Sequence, residues 1–321
     1  MKKLISLLVV LMVVFSFLFG SIALAQEELT IGLSFPSLSF AWFSFLEEAV
    51  KEKAAQLGGI EVISLEAEDK VSNQISIIED MIIRGVDGVL LVPIEVEAVV
   101  PAVEALNQAN IPVVTVDRRI KEDAPVEVLC HVGADNVEGG RKAGQFVVDK
   151  LIEKYGAPKG VVIELIGTPG AGPAIDRSGG FNEIIGQYPD IIIKSQTANF
   201  RRDDGMRVME DFIMSTPEID AVFGGNDEMV LGAIQAMQAS GMLDVEEVIT
   251  VGFDALPESL ELIEQGILDA TIEQFPGRQA STAFEVLVNY LWEGQEPADK
   301  VILIEPAVIT KENLDQAEKS F

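Results

Sequence analysis

The chain has 321 residues, with 23 Lys and Arg against 52 Asp and Glu and a formal net charge of −29 at pH 7. A surplus of that size repels phosphate backbones, and no basic patch of any length offsets it, which argues against a nucleic-acid partner. The single cysteine, Cys130, forbids an intramolecular disulfide, and the single histidine, His131, leaves neither a Cys/His zinc cluster nor a His-dependent triad convincing.

Residues 1–25 read as a cleavable secretory signal peptide. Lys2 and Lys3 give a positive start, 4–19 are apolar apart from Ser6 and Ser16, and Ala23-Leu24-Ala25 places small residues where a signal peptidase reads. The apolar run is short for an uncleaved span. A lipid anchor would need a cysteine at the cut, and Cys130 is far away. What remains exceeds the usual size of one core, so two lobes are expected.

From Leu29 onward, short β-rich runs alternate with helical segments. Strands are predicted over 29–35, 61–65, 89–92, 112–116 and 128–132, with helices over 43–57, 72–84 and 96–109 between them. Ser72 is placed to cap its helix, and Gly58-Gly59 and Gly85 to close theirs. The same grammar then repeats. Helices are predicted over 136–154, 178–187, 203–214, 229–240, 257–265 and 276–292, with strands over 161–166, 191–195, 221–224, 248–251, 269–274 and 301–305. Strands of nearly continuous Val, Ile and Leu predict an α/β fold whose parallel sheets are covered on both faces. Two successive units of similar size, without a flexible linker, predict two similar lobes.

In open α/β sheets, ligands sit at the carboxyl ends of strands. Those ends carry residues 35–43, Asp117, Arg118, Asp135, Asn136, residues 167–177, Asn199, Phe200, Asn226, Asp227, Asp254 and Gln274. Carboxylates, amides and a guanidinium match paired hydroxyls, and flat rings cover C–H faces. A sugar needs that mixture.

Signals for catalysis or a cofactor are weak. His131 lies within a strand and reads as structural, and Cys130 beside it as a small hydrophobe. The run from Gly167 to Gly172 is spaced G-x-x-G-x-G rather than G-x-G-x-x-G. Pro169 and Pro173 remove donors that a pyrophosphate would need, so it reads as a structural turn. No P-loop is present. A carboxylate-only metal site stays open in a chain with 52 acids. Carboxylates at strand ends leave a glycosidase as a minor alternative. No enzyme activity and no cofactor are expected.

Four segments stand in order: the run from Asn110 to Asp117-Arg118; Asp135-Asn136 with Gly139-Gly140; Asn226-Asp227-Glu228-Met229 with Leu231-Gly232-Ala233; and Val251-Gly252-Phe253-Asp254. With the signal peptide, the chain resembles the ribose-type (type 1) periplasmic sugar-binding proteins of ABC transporters, from about Leu29 to about Pro306. The resemblance implies two Rossmann-like lobes joined by a three-strand hinge. The N-terminal lobe would hold 27–134 plus 275–304, and the C-terminal lobe 135–274 plus 305–321. It implies a non-enzymatic periplasmic protein that closes on a sugar or polyol and delivers it to an ABC transporter permease. Members usually act as monomers, and a chemoreceptor is a further partner the family admits. A sensor or quorum-signal binder is the alternative function. Residue by residue, the resemblance assigns the ligand to Trp42, Phe43, Asp117, Arg118, Asn136, Phe200, Asn226, Asp254 and Gln274. Two departures stand out. Pro36 and Phe40 replace polar residues of the first loop, bringing Phe40 into the site, and Ile175 stands where the ribose binder carries an Arg. Loss of that cation, with apolar area gained, implies a ligand other than D-ribose, with Asp176 or Arg177 as compensating groups. Glu47 and Glu48 near the first-lobe rim are expected to meet basic groups of the permease.

Overall fold

Runs of buried apolar residues become the strands of two sheets in the computed structural model, which describes residues 28–241 and 245–318. The signal-peptide reading of residues 1–25 falls outside these residues. The first sheet contains β1 (Leu29–Phe35), β2 (Ile60–Glu66), β3 (Gly88–Leu91), β4 (Val113–Val116), β5 (Cys130–Ala134) and β11 (Val301–Ile304), in the order β11-β5-β4-β3-β1-β2 and wholly parallel. The second contains β6 (Gly160–Ile166), β7 (Ile191–Thr197), β8 (Ala221–Gly224), β9 (Ile249–Phe253), β10 (Ala270–Glu273) and β12 (Ala307–Ile309), in the order β12-β10-β9-β8-β6-β7. Only β12 runs antiparallel, against β10. Central strands such as β3, β8 and β9 are buried throughout, as a sheet covered on both faces requires.

Helices supply the cover. On the first sheet, α1 (Ala41–Leu57) and α9 (Pro276–Glu293) pack together on one face, and α2 (Val71–Arg84) and α3 (Val100–Gln108) on the other. On the second, α4 (Asn136–Tyr155) and α5 (Gly172–Ile185) share one face, and α6 (Arg202–Ser215) and α7 (Asp227–Ser240) the other, with α8 (Pro257–Gln265) following β9. The chain passes between sheets three times: from β5 to α4, from β10 to α9, and from β11 to β12. All three passages leave from the outermost strands at one edge of each sheet. In both sheets the winding direction reverses beside the first strand, between β1 and β3 and between β6 and β8. Such reversals open a crevice at the strands' carboxyl ends.

Glycines fix two helix crossings in the second sheet's layers. A Cβ on Gly140 would lie 2.2 Å from the backbone oxygen of Arg177, and one on Gly180 2.0 Å from that of Val137. The pair α6–α7 is built alike, with Gly205 against Met229 and Gly232 against Arg202.

Several expectations need correction. Ser72 caps nothing: the N-cap of α2 is Lys70, with no side-chain hydrogen bond. The helix expected over 96–109 begins only at Val100, because 94–99 form bends and turns. The helix expected over 178–187 starts six residues earlier, at Gly172, with Pro173 in its first turn, where a missing N–H costs nothing. Cys130 is buried, and its thiol donates to the carbonyls of His131 (3.5 Å) and Asp299 (3.4 Å). His131 sits with Nδ1 3.0 Å from Thr115 Oγ1. Burial, helped by nearby Arg119, pulls its pKa down to about 4, so it is a neutral ring.

Candidate functional site

The loops at the carboxyl ends of both sheets meet around a chamber of about 40 Å³. That is only about three times the space one water needs, so the walls lie close together. Nine of the ten expected residues line it. From the first sheet's side come Phe40, Trp42, Phe43, Asp117 and Arg118; from the second's come Phe200, Asn226, Asp254 and Gln274. Asn136, the tenth, does not line it and stands one layer behind.

The aromatic residues form a cluster at the start of α1. Phe40 and Trp42 each meet Phe43 edge-on, with centroids 6.0 and 5.3 Å apart. The Arg118 guanidinium lies over Phe43 at 5.3 Å and over Phe200 at 5.9 Å. Its Nη1 donates to the Ile94 carbonyl at 3.1 Å, while its Nε stands 3.6 Å from Asp117 Oδ2, an ion pair without a hydrogen bond. Gly167 explains the glycine-rich turn. A Cβ there would fall 2.0 Å from the Phe200 ring, so the missing side chain makes room for that aromatic wall.

Arg177, which sequence reasoning offered only as a compensating group or a helix-end contact, is a wall of the chamber and is 4 % exposed. Nε donates to Asn136 Oδ1 at 2.8 Å, Nη1 to the Gly225 carbonyl at 2.8 Å and to Asp254 at 3.4 Å, and Nη2 to Gln274 Oε1 at 3.2 Å. Its plane lies 3.7 Å over the Phe253 ring centroid. Gln274 Nε2 donates to Asp254 Oδ1 at 2.6 Å, closing the network. Asn226 is the N-cap of α7: its Oδ1 accepts from Met229 N and its Nδ2 donates to the Phe200 carbonyl. Burial pushes the carboxyl of Asp254 well above its usual range and that of Asp117 upward, with the arginines opposing.

Ile175 corrects the expected apolar substitution. It is 57 % exposed and absent from the chamber, so it removes no cation; Arg177, half a turn further along α5, supplies one. Pro173, also missed, joins the same wall. A helix start read at Pro173 would have placed both residues on one face, since i and i+4 share it. Asp227 is not a wall residue: it accepts from Leu256 N and Thr271 Oγ1 behind the chamber. Asp135 caps α4, and Asp176 pairs with Arg119. Glu47 is no free rim charge either, because Lys51 and Ser64 both donate to it at 2.6 Å.

Three wall residues carry backbone strain. Asp117 has φ 59°, Phe200 φ 59° and Asp254 φ 118°. Non-glycine residues held there cost stability, and such strain concentrates at ligand sites. Among the described residues, no group of three or more His, Cys, Asp or Glu side chains converges as a metal site would require.

Comparison with known proteins is consistent across sequence and structure. The sequence profile described as periplasmic binding protein domain matches residues 31–296. The ribose import binding protein of Bacillus subtilis is 39% identical over 268 residues, covering 82% of this chain and 83% of its own. The galactofuranose-binding protein of Escherichia coli is 34% identical over 282 residues, covering 87% and 86%. The crystal structure of the Caulobacter myo-inositol binding protein bound to myo-inositol superposes with a TM-score of 0.84 at 33% identity, over 92% of this chain and 97% of that one.

Proposed function

The chain belongs to the periplasmic binding protein family, as a type 1 sugar-binding protein of ABC transporters, and from that premise we propose that it captures one neutral sugar or polyol in this chamber and releases it to a permease. One observation carries the reading: side chains from both sheets converge, almost wholly buried, on a single small chamber. Asp117, Arg118, Asn226, Asp254 and Gln274 replace the water hydrogen bonds of hydroxyl groups, while Trp42, Phe43 and Phe200 cover C–H faces. Arg177 positions Asp254 and Gln274. The two lobes follow the boundaries of the sequence reading, 27–134 plus 275–304 and 135–274 plus 305–321. They open by rotation at the three passages and close on ligand. We place the protein in the periplasm, acting as a monomer on a reversible cycle without bond chemistry.

A thermal-shift panel of pentoses, hexoses, deoxysugars, polyols and amino acids tests this. A ligand of the folded state adds about 2.7 kcal/mol at a hundredfold excess over its Kd. A clear rise in Tm with a neutral sugar or polyol is expected. A rise with amino acids alone, or with no compound, would overturn the assignment of solute.

A further inference from the structure

The last described residues return to the wall of the chamber from behind. β12 pairs with β10 in a register that sets Ala307 opposite Glu273. The chain then turns: Asn313 Oδ1 accepts from Thr310 N at 2.7 Å, and its Nδ2 donates to the Val308 carbonyl at 2.9 Å. After that turn Ala317 is buried with Ile309 against Ala255, the neighbour of Asp254.

Glu273 joins this segment to the passage from β10 to α9. Its Oε1 accepts from Phe275 N at 2.6 Å and its Oε2 from Glu318 N at 2.9 Å. The Glu318 carboxylate accepts in turn from Gly277 N at 2.8 Å. Gly277 lies in the first turn of α9, whose N-cap is Phe275, a residue with no side-chain acceptor. The far end of the chain thus supplies an anion where the helix leaves N–H groups unpaired. Because α9 covers the first sheet and β12 belongs to the second, Glu318 ties the two across the passage.

Backbone strain links this strap to the ligand wall. Gln274 stands between Glu273 and Phe275, and Phe275 is held at φ 58°; beside Asp254, Ala255 is held at φ 54°. Neither is a glycine, and such backbone persists only where the surroundings over-determine it. Glu273 and Glu318 do so around Phe275, and Ala317 packs on Ala255. Gln274 Nε2 and Asp254 Oδ1 meet at 2.6 Å, so the wall residues next to the two strained positions also hold each other.

Resting on the sugar or polyol reading above, we infer that Glu273 and Glu318 are positioning residues of the binding site. They fix the left-handed turn at Phe275 and so aim Gln274, and through it Asp254, at the ligand. Neither lines the chamber, and both act through Gln274.

The test is run at pH 8, above the value of about 7 to which burial raises Glu273, so that both its oxygens accept. The probes are D-ribose, D-galactose, D-allose and myo-inositol, measured by calorimetry. For the probe that binds, Glu318→Ala should weaken affinity about three- to tenfold. Glu318→Gln, which keeps an oxygen for the Gly277 N–H, should restore most of that loss. In a Gln274→Ala background, Glu318→Ala should change affinity by less than about twofold, because the side chain it positions is gone. In the ligand-free protein, the side-chain amide resonance absent from Gln274→Ala should move in Glu318→Ala, a readout that a loss of stability alone does not shift. Undiminished affinity in Glu318→Ala, an equal loss in both backgrounds, or an unmoved resonance would overturn the positioning role and leave the sugar reading standing. A wild type that binds none of the probes would overturn the sugar reading, and the resonance would then decide the positioning role alone.

Discussion

Two carboxyl groups outside the chamber carry a pH dependence that the wall residues share in direction. Asp227 accepts from Leu256 N and Thr271 Oγ1, and Glu273 from Phe275 N and Glu318 N, yet burial outweighs these bonds and pushes both up to about 7. Unfolded, the two titrate near 4. Between about pH 4 and 7 the folded state therefore holds more protons, and stability falls as pH rises through that window. His131 acts the other way. Its pKa falls to about 4 when folded, so the stability it contributes is full above about 6.5 and is lost as pH falls toward 4. Two acids outweigh one imidazole, and the melting temperature should be higher at pH 5.5 than at pH 8 by roughly a few degrees. The double variant Asp227→Asn, Glu273→Gln should lose part of that slope in a calorimetric pH series, the remainder belonging to the raised wall carboxyls Asp117 and Asp254. A slope unchanged in the variant would assign it instead to the wall carboxyls and the general negative charge of the chain, which act in the same direction.

At the scale of elements, the crossing of α4 and α5 is what sets Arg177 in the wall. Gly140 on α4 touches the Arg177 carbonyl, and Asn136, one turn earlier on α4, holds its Nε. Gly140→Ala would force the helices apart at that point. The expected cost is about 1–3 kcal/mol in chemical denaturation, as for overpacking elsewhere, together with weaker sugar binding because Arg177 moves with its helix. Full affinity in the variant would show that the crossing supports stability only. Much of this architecture was legible in the sequence. Apolar runs with helical segments between them announced buried parallel strands, the rule that ligands gather at strand ends marked the loops that form the chamber, and the family resemblance singled out nine of its wall residues. What escaped has physical reasons. Pro173 was read within a structural turn although it opens a helix, and Arg177 was accordingly offered only as a compensating group or a helix-end contact. Asn136 sits in a conspicuous motif because it braces an arginine, a role no spacing distinguishes from a ligand contact. The left-handed backbone at Asp117, Phe200 and Asp254 is imposed by tertiary packing, since nothing local in those sequences demands it.

At the scale of the whole molecule, the loops of the two sheets meet in contacts both far from the three passages and near them. β2 and β7 are the edge strands opposite those passages, and the loops that follow them meet. There Arg201 Nη2 lies 3.1 Å from Asp69 Oδ2, and the Arg201 guanidinium covers the Phe40 ring at 5.2 Å. Nearer the passages, Arg119 pairs with Asp176 at 2.8 Å, and Val96 N donates to the Gly170 carbonyl at 3.3 Å. Closure also brings together parts of a strongly acidic chain, so such pairs offset repulsion as well as adding attraction. A partly exposed pair is worth at most about 1 kcal/mol. On the proposed closing cycle, affinity scales with the fraction of molecules in the closed form, so where the open form prevails without ligand that amount appears in the measured Kd. Arg201 does not line the chamber, so Arg201→Ala removes no wall side chain. It should still weaken sugar binding roughly two- to fivefold at low salt. Asp69→Ala should do the same, and the double variant should be no worse than either alone, because both remove one interaction. At 0.5 M NaCl the gap between variant and wild type should shrink as screening removes the pair from both. Additive losses, or a gap that persists in salt, would mean that Arg201 acts through its cover of Phe40 and that closure owes little to the ion pair.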